Sequence, residues 1–315
     1  MRLFNASTII KEGRIAQGLS QKKLAEGICA RETITRLEKG THKPNWFVMK
    51  NLLIRLGINP DDYSDVATEP DAYMLKTVSE CSELIRTLNF EGLKTKIEEF
   101  EMNRNAYGDT TDDTFNRVLL RMKAYLHAQG KYKDTALSIQ YIMEYIKQVR
   151  PDFEIDNIPE YFLSADEAKD INLLAILYRD TEGVSKALEI WQKLRENYEK
   201  EHQIAVNSDI TYRELRFNIS LALKYAERFE ECLEMAEAGI ELSKAYCDMR
   251  TYVAYLHQKA WCLMKLEHPK EGEEVFKNVL RFAYVLDGWA QINFQTIKQE
   301  YKDVFGGTLD LSIPW

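Results

Sequence analysis

Residues 19–40 read LSQKKLAEGICARETITRLEKG, and the order of residue types in this stretch spells two short helices joined by a tight turn. Ser20 stands where its side chain can accept a bond from a first-turn amide, and Leu24, Ala25 and Ile28 follow at helical spacing. Ile34 and Leu37 give the second helix its buried stripe, and Gly40 stops it. Arg31, Glu32, Thr33, Thr35 and Arg36 are then left on the outer face. These side chains can reach base edges and phosphates when a helix enters a major groove.

Working outward, a first helix is expected over Ser7–Gln17, packing Ile9, Ile10 and Ile15 against the motif. Beyond Gly40, residues 41–45 form a turn in which Asn45 caps a helix from Trp46 to Leu56. Gly57 ends that helix, and Asn59-Pro60 opens a short fifth one through Tyr63. The polar, proline-containing stretch Ser64–Asp71 reads as a linker. The expected divisions are 1–65 for a helix-turn-helix domain, 66–76 for the linker, 77–305 for a helical-repeat domain and 306–315 for a tail containing Trp315.

The chain of 315 residues carries a net charge of −8, which argues against a nucleic-acid partner until the charges are placed. Residues 1–60 hold 11 Lys or Arg against 4 Glu, so this segment is +7 and the remainder −15. A basic head on an acidic body suits a phosphate-binding module joined to one that avoids DNA. The N-terminus lacks the apolar run of a signal peptide, and no segment approaches the roughly 18 apolar residues of a membrane span. A cytoplasmic protein without membrane contact is expected. The five cysteines, Cys29, Cys81, Cys232, Cys247 and Cys262, are scattered and read as reduced and buried. Neither they nor the five dispersed histidines make a metal site, and no cofactor is implied. Catalytic motifs are missing too, and Glu98-Glu99 and Glu230-Glu231 read as solvated helix faces, so an enzyme is not expected.

From residue 72 to 305 the apolar period is that of helices. Four breaks, around Tyr132, Gly183, Phe229 and Pro269, each join the end of one helix to the start of the next, at spacings of 51, 46 and 40 residues. These exceed the about 34 of a tetratricopeptide repeat. The fold class expected is all-α, an N-terminal five-helix helix-turn-helix domain followed by a tetratricopeptide-like α-solenoid whose inner helices line a groove. Residues 150–161, with Pro151 and Pro159, interrupt the pattern and read as a surface insertion, in preference to a loop at the mouth of the groove.

The motif resembles the Xre/Cro-type helix-turn-helix family in Leu19-Ser20-Gln21, in Leu24-Ala25 and in the ending Ile34 to Gly40. Where that family commonly has a Gly-Val-Ser turn, this chain has the shorter Ile28-Cys29-Ala30, which looks like the Rgg/PlcR (RRNPP) branch of peptide-responsive bacterial regulators. The segment Glu214–Glu241 is similar to a hairpin of the same branch, through Arg216-Phe217-Asn218 and the turn Arg228 to Glu231, and Gln258 after Tyr255 also fits. The resemblance implies that Asn218, Gln258 and Asn172 hold the backbone of a short signalling peptide. A carboxamide offers a donor and an acceptor together, which is what an extended peptide presents. Tyr212, Tyr225, Tyr255 and Trp261 are candidate pocket walls, and Arg179 or Arg216 a candidate partner for the peptide's C-terminal carboxylate.

For DNA, Gln21 and Lys22 or Lys23 are expected on phosphates, with Lys43 and Asn45 on the backbone. Arg31, Glu32, Thr33 and Thr35 would face bases and Arg36 the groove edge. The function expected is a quorum-sensing transcription regulator that binds a two-fold operator as a homodimer, meets RNA polymerase there and is switched by an imported peptide. The alternative is an interaction adaptor, in which the repeats dock another protein and the helix-turn-helix is secondary.

Overall fold

The computed structural model describes residues 6–42, 46–58, 69–103, 114–201, 210–286 and 294–306, and all regular structure among them is helical. Residues 1–181 form one compact unit and residues 182–315 another. The first unit begins with α1 (Ala6–Ala16), α2 (Gln21–Ala25), α3 (Arg31–Glu38) and α4 (Trp46–Arg55), which enclose Ile10, Leu24, Ile34, Leu37 and Leu52. Ser20 caps α2 as expected, its Oγ accepting the Lys23 N–H at 3.0 Å. Gly40, at φ 68°, turns the chain out of α3 in the left-handed conformation that favours glycine. Ile15 does not join this core. It is 58% exposed, because it stands five residues after the fully buried Ile10 and so off the helix face that Ile10 occupies.

The expected fifth head helix, and the linker as far as residue 68, lie outside the described residues. The chain is already helical from Glu69, within the segment expected as linker: α5 spans Glu69–Arg86 with Pro70 in its first turn, where a missing N–H is tolerated. It is followed by α6 (Phe90–Met102), α7 (Thr114–Ala128), α8 (Thr135–Val149) and α9 (Ala165–Thr181), each packed on the next. Phe100 of α6 stacks on Phe115 of α7, ring centroids 3.9 Å apart.

The second unit holds α10 (Val184–Glu201), α11 (Ile210–Tyr225), α12 (Phe229–Ala245), α13 (Met249–Lys265), α14 (Pro269–Val285) and α15 (Phe294–Phe305). One turn recurs. Glu227, Cys247 and Glu267, 20 residues apart, adopt φ of 57°, 52° and 64°, as does Leu88 between α5 and α6 at 57°. The amide after each reaches back to the carbonyl five residues earlier: Asn89 to Leu84 at 2.9 Å, Arg228 to Leu223 at 3.0 Å, Asp248 to Ser243 at 2.9 Å and His268 to Leu263 at 2.8 Å. This is the Schellman arrangement that satisfies the orphan carbonyls of a helix end. The 40-residue spacing from Phe229 to Pro269 is thus two helices and two such turns. Non-glycine residues in this conformation cost about 1 kcal/mol. Replacing the exposed Glu267 by glycine is therefore expected to raise stability by about 0.5–1 kcal/mol in urea denaturation; a loss of stability would contradict this account of the turn.

A buried ionic group ties α9 to α7. Asp170 is fully buried, its Oδ1 accepts from Arg121 Nε at 2.7 Å, and its Oδ2 has no hydrogen-bond partner among the described residues. Burial pushes its carboxyl up to about 7; Arg121 opposes the shift, and Asp166 and Glu167 add to it. The folded chain therefore holds a proton that the unfolded chain, with its carboxyl near 3.8, has already released. Stability from this group is complete at acid pH, falls as the pH rises towards 7 and is level above it. The melting temperature of the wild type relative to Asp170→Asn is expected to fall as pH is raised from about 5 to about 8, and a constant difference would sink the assignment.

Candidate functional site

On α3, Arg31, Glu32 and Arg36 are exposed, and among the described residues none of their side chains enters an ion pair. Lys22 of α2 is exposed as well. The other expected contacts are placed differently. Thr35 donates its hydroxyl to Gln21 Oε1 at 3.0 Å, and Gln21 Nε2 donates to Glu38 at 2.8 Å. Glu38 is in turn gripped by Arg14, Nε to Oε1 at 2.5 Å and Nη2 to Oε2 at 3.0 Å. Burial raises the Glu38 carboxyl, but the bonds from Arg14 and Gln21 outweigh it and leave the carboxyl below its ordinary value. Gln21 and Thr35 therefore fasten α2 to α3 instead of facing outward, because each has a polar partner on the neighbouring helix. Thr33 is half-buried, and Lys43 and Asn45 lie outside the described residues.

Lys23 is also diverted: its Nζ lies 3.4 Å from Glu26 and 4.9 Å from the centre of the Phe162 ring. Phe162 follows directly on the segment expected as a surface insertion, and that expectation is corrected here. A 3-10 turn, Ile155–Glu160, folds the segment inward, burying Phe153, Ile158 and Tyr161 together with the Arg150 side chain. Tyr161 closes the loop, its hydroxyl donating to the Asp152 carbonyl at 3.1 Å and accepting the Glu154 amide at 2.8 Å. Over its ring, at 4.2 Å, lies the Arg150 guanidinium.

Arg150 bridges the insertion to the head, donating to Glu26 at 2.7 Å through Nη1 and to Glu167 at 3.0 Å through Nη2. Burial lowers the Arg150 guanidinium, but Glu167 and Glu26 more than restore it. Glu167 also caps α9 reciprocally with Ser164: the Ser164 amide donates to the Glu167 carboxylate at 2.8 Å and the Glu167 amide to Ser164 Oγ at 3.2 Å. Arg55 completes the group from α4. Its Nη1 donates to the Leu24 carbonyl at 3.0 Å and to the Glu26 carbonyl, while Nη2 reaches the Phe162 carbonyl at 3.2 Å and Glu167 at 3.8 Å. Burial pulls the Arg55 guanidinium down to about 10. Two acids and two guanidiniums thus cancel in charge beneath the α2–α3 turn. Gly27, at φ 70°, lies directly on Glu167: a Cβ there would come within 2.1 Å of its carboxylate. The sequence signals for this mount were an arginine in the apolar run of α4 and the Ser164-to-Glu167 capping pattern.

The expected peptide contacts divide between the two units: Asn172 and Arg179 are on α9, the rest on α11 and α13. Asn172 is buried, and Arg179 donates to its neighbour Asp180 at 3.0 Å. Arg216, Asn218 and Tyr225 keep part of their surface on α11, Tyr225 being 60% exposed. The other four are not open walls. Tyr212 is buried, donates to Glu199 at 2.9 Å and carries the Arg216 guanidinium 5.9 Å from its ring centre. Tyr255 packs edge-on to Phe217 at 5.4 Å and fills the space where Gly239 has no Cβ, so it belongs to the core. Gln258 is buried and its Oε1 accepts from Ser220. Trp261 is half-buried and donates to Glu300 at 2.8 Å, with Lys224 5.0 Å from its ring centre and His257 3.0 Å from Glu300. Lys224, His257 and Glu300 carried no signal in the sequence, since no local pattern links three such distant positions.

Residues 10–63 match the family HTH_3, helix-turn-helix. No match was found among curated proteins. Among solved structures, the chain is similar to PlcR of Bacillus thuringiensis, determined in complex with the peptide PapR7 and DNA: TM-score 0.58 at 19% identity, covering 94% of this chain and 98% of that one. Two further similar structures are the apo competence regulator ComR of Streptococcus vestibularis, with a TM-score of 0.45 at 18% identity over 96% of this chain and 98% of that one, and a cysteine-to-serine variant of the SHP pheromone receptor Rgg2 of Streptococcus dysgalactiae, with a TM-score of 0.43 at 13% identity over 97% and 100%. The described residues are all-α, with a helix-turn-helix of the HTH_3 type followed by tetratricopeptide-like helical repeats. Among the described residues no helix is long and apolar enough to cross a membrane.

The mount yields a paired test. Gly18 and Gly27 share a left-handed backbone, at φ 66° and 70°, but Gly18 has open space around it. Gly18→Ala is expected to cost about 1 kcal/mol of backbone strain. Gly27→Ala should cost about 2 kcal/mol more, because it displaces a carboxylate that two arginines need. It should also speed amide exchange in residues 24–29. Equal losses in urea denaturation would show that Glu167 does not press on this turn.

Proposed function

We propose that the chain is a transcription regulator that binds a two-fold operator as a homodimer through α3 and is switched by a short peptide held by its repeats. The observation that carries this reading is the division of labour in the head. Among the described residues Arg31, Glu32 and Arg36 stand exposed on α3 without an ion pair, while the turn behind them is fastened by Glu26, Arg55, Arg150 and Glu167. An arginine and a glutamate at the start of an exposed helix suit guanine and cytosine edges, and Arg36 a phosphate or the groove edge. The basic balance of residues 1–60 supports approach to phosphates. The solved complex of PlcR with a peptide and DNA supports the pairing of the two ligands.

For the peptide, Arg216 and Asn218 on α11 retain the exposure a ligand needs, with Arg216 the candidate for a terminal carboxylate. The head is tied to the start of α9, so a peptide acts on DNA affinity by shifting that attachment.

Fragments of bacterial genomic DNA selected by the wild-type chain provide the operator for anisotropy titrations. Arg31→Ala is expected to weaken binding about tenfold or more and to relax preference at one position of the site, whereas Lys22→Ala weakens all sequences alike and lowers the salt slope by about 1. Unchanged operator affinity in Arg31→Ala with Glu32→Ala would overturn the DNA reading in favour of an adaptor. In calorimetry with synthetic peptides that bind the wild type, Asn218→Ala should lose at least about 1 kcal/mol; equal affinity would remove Asn218 from the site.

A further inference from the structure

Three helices of the second unit meet along one seam. Ser220 of α11 donates to Gln258 of α13, and Trp261, further along α13, donates its Nε1–H to Glu300 of α15 at 2.8 Å. One helical turn beyond Ser220 stands Lys224, half-buried, with its ammonium 5.0 Å from the centre of the Trp261 ring. Among the described residues this ammonium makes no hydrogen bond and no ion pair. Other lysines of the unit are placed differently: Lys193, Lys244, Lys259 and Lys277 each have a glutamate oxygen at 2.6 or 2.7 Å. The seam does contain an acid, but Glu300 is turned to other groups, Oε1 to Trp261 and Oε2 to His257 Nε2 at 3.0 Å. A second donor is left over as well, since the buried Gln258 Nε2 has no hydrogen-bond partner among the described residues. Between α11 and α13 the seam is therefore short of acceptors.

We propose that Lys224, over the face of Trp261, receives an aspartate or glutamate side chain of the bound peptide. The inference rests on the peptide-binding reading of the repeats and adds to it a rule for the ligand's sequence. An ammonium partly withdrawn from water and without an acceptor is held at a cost, which a ligand carboxylate removes and a neutral side chain does not. Burial holds the Lys224 ammonium below its ordinary value and Glu300 only partly restores it, so incoming negative charge is favoured. Burial raises the Glu300 carboxyl, but the bonds from His257 and Trp261 outweigh it and keep that acid ionised. Its charge tells against a dianion such as a phosphate and suits a ligand group with a single negative charge. The Trp261 face gives apolar contact to the methylene groups that carry a carboxylate.

The position of the acidic residue follows from α11. Arg216 lies about two helical turns before Lys224, or about 12 Å along the axis. An extended peptide advances about 3.3 Å per residue, so with its terminal carboxylate on Arg216 its acidic side chain stands about three or four positions earlier.

The full chain is incubated with a randomised library of heptapeptides carrying free carboxyl termini, and the retained peptides are eluted and sequenced by mass spectrometry. Peptides held by the wild type are expected to be enriched in Asp or Glu at the third or fourth position. Lys224→Arg should keep that enrichment and Lys224→Met should lose it. Replacing the acidic residue of a retained peptide by its amide should weaken binding about tenfold to the wild type and less than about twofold to Lys224→Met. Retained peptides without an acidic preference would overturn the inference alone, as would an equal preference in a folded Lys224→Met. A wild type that retains no peptide would overturn the peptide-binding reading, and this inference with it.

Discussion

The Glu167 carboxylate is the group on which the first unit converges. It accepts the Ser164 amide and so starts α9, holds Arg150 and through it the insertion, and lies against Gly27 of the head. An isolated carboxylate in such a place would be costly to bury, and this one is tolerated because Arg150 and Arg55 approach it and Glu26 balances the second guanidinium. The arrangement matters to the head because α2 is only five residues long. A helix that short has little stability of its own, and its length is sustained by what packs on its ends. The Ser20 cap supports the start of α2, and Arg55 takes the Leu24 and Glu26 carbonyls at its end.

This changes what the charge of the head means. Of the cations counted in residues 1–60, Arg14 is spent on Glu38, Arg55 on the mount, and Lys23 on Glu26 and Phe162. These pairs already cancel within the net charge, and the cations left exposed among the described residues of the head are Lys11, Lys22, Arg31, Arg36, Lys39 and Lys50. Pairing thus fixes where the charge lies without changing its sum, and attraction to a polyanion comes from the unpaired exposed cations.

Local features were legible in the sequence. The Ser20 cap, the Leu24 and Ile34 stripes, the stop at Gly40 and the helical breaks near Phe229 and Pro269 all act within a few residues, and the structure has each of them. What the sequence concealed was long-range or carried by unusual residues. Arg150 meets Glu26 across 124 positions, and no periodicity announces such a pair. Prolines around residues 151 and 159 signal irregular backbone but not whether it faces water or another element. The breaks at Glu227 and Glu267 were legible but their left-handed conformation was not, because no glycine announces it. Among the site residues, Tyr255 was ambiguous because an aromatic at helical spacing suits a core and a pocket equally, and only Gly239 opposite it decides for the core.

Apolar and polar contacts hold neighbouring helices in register in different ways. Around α6 and α7 the contact is aromatic, with Phe100 stacked on Phe115, and such a surface tolerates small slips. Around α11 a polar seam runs through the interior: Ser220 bonds Gln258, Cys232 bonds the Ser220 carbonyl, and Lys224 lies over Trp261, which donates to Glu300. Polar groups withdrawn from water are satisfied in few arrangements, so sliding α11 by one turn would leave several donors unpaired at about 1–3 kcal/mol each. The helix bearing Arg216 and Asn218 is therefore seated by directional bonds as well as by apolar area, and it responds to chemistry at those bonds more sharply than a purely apolar helix would.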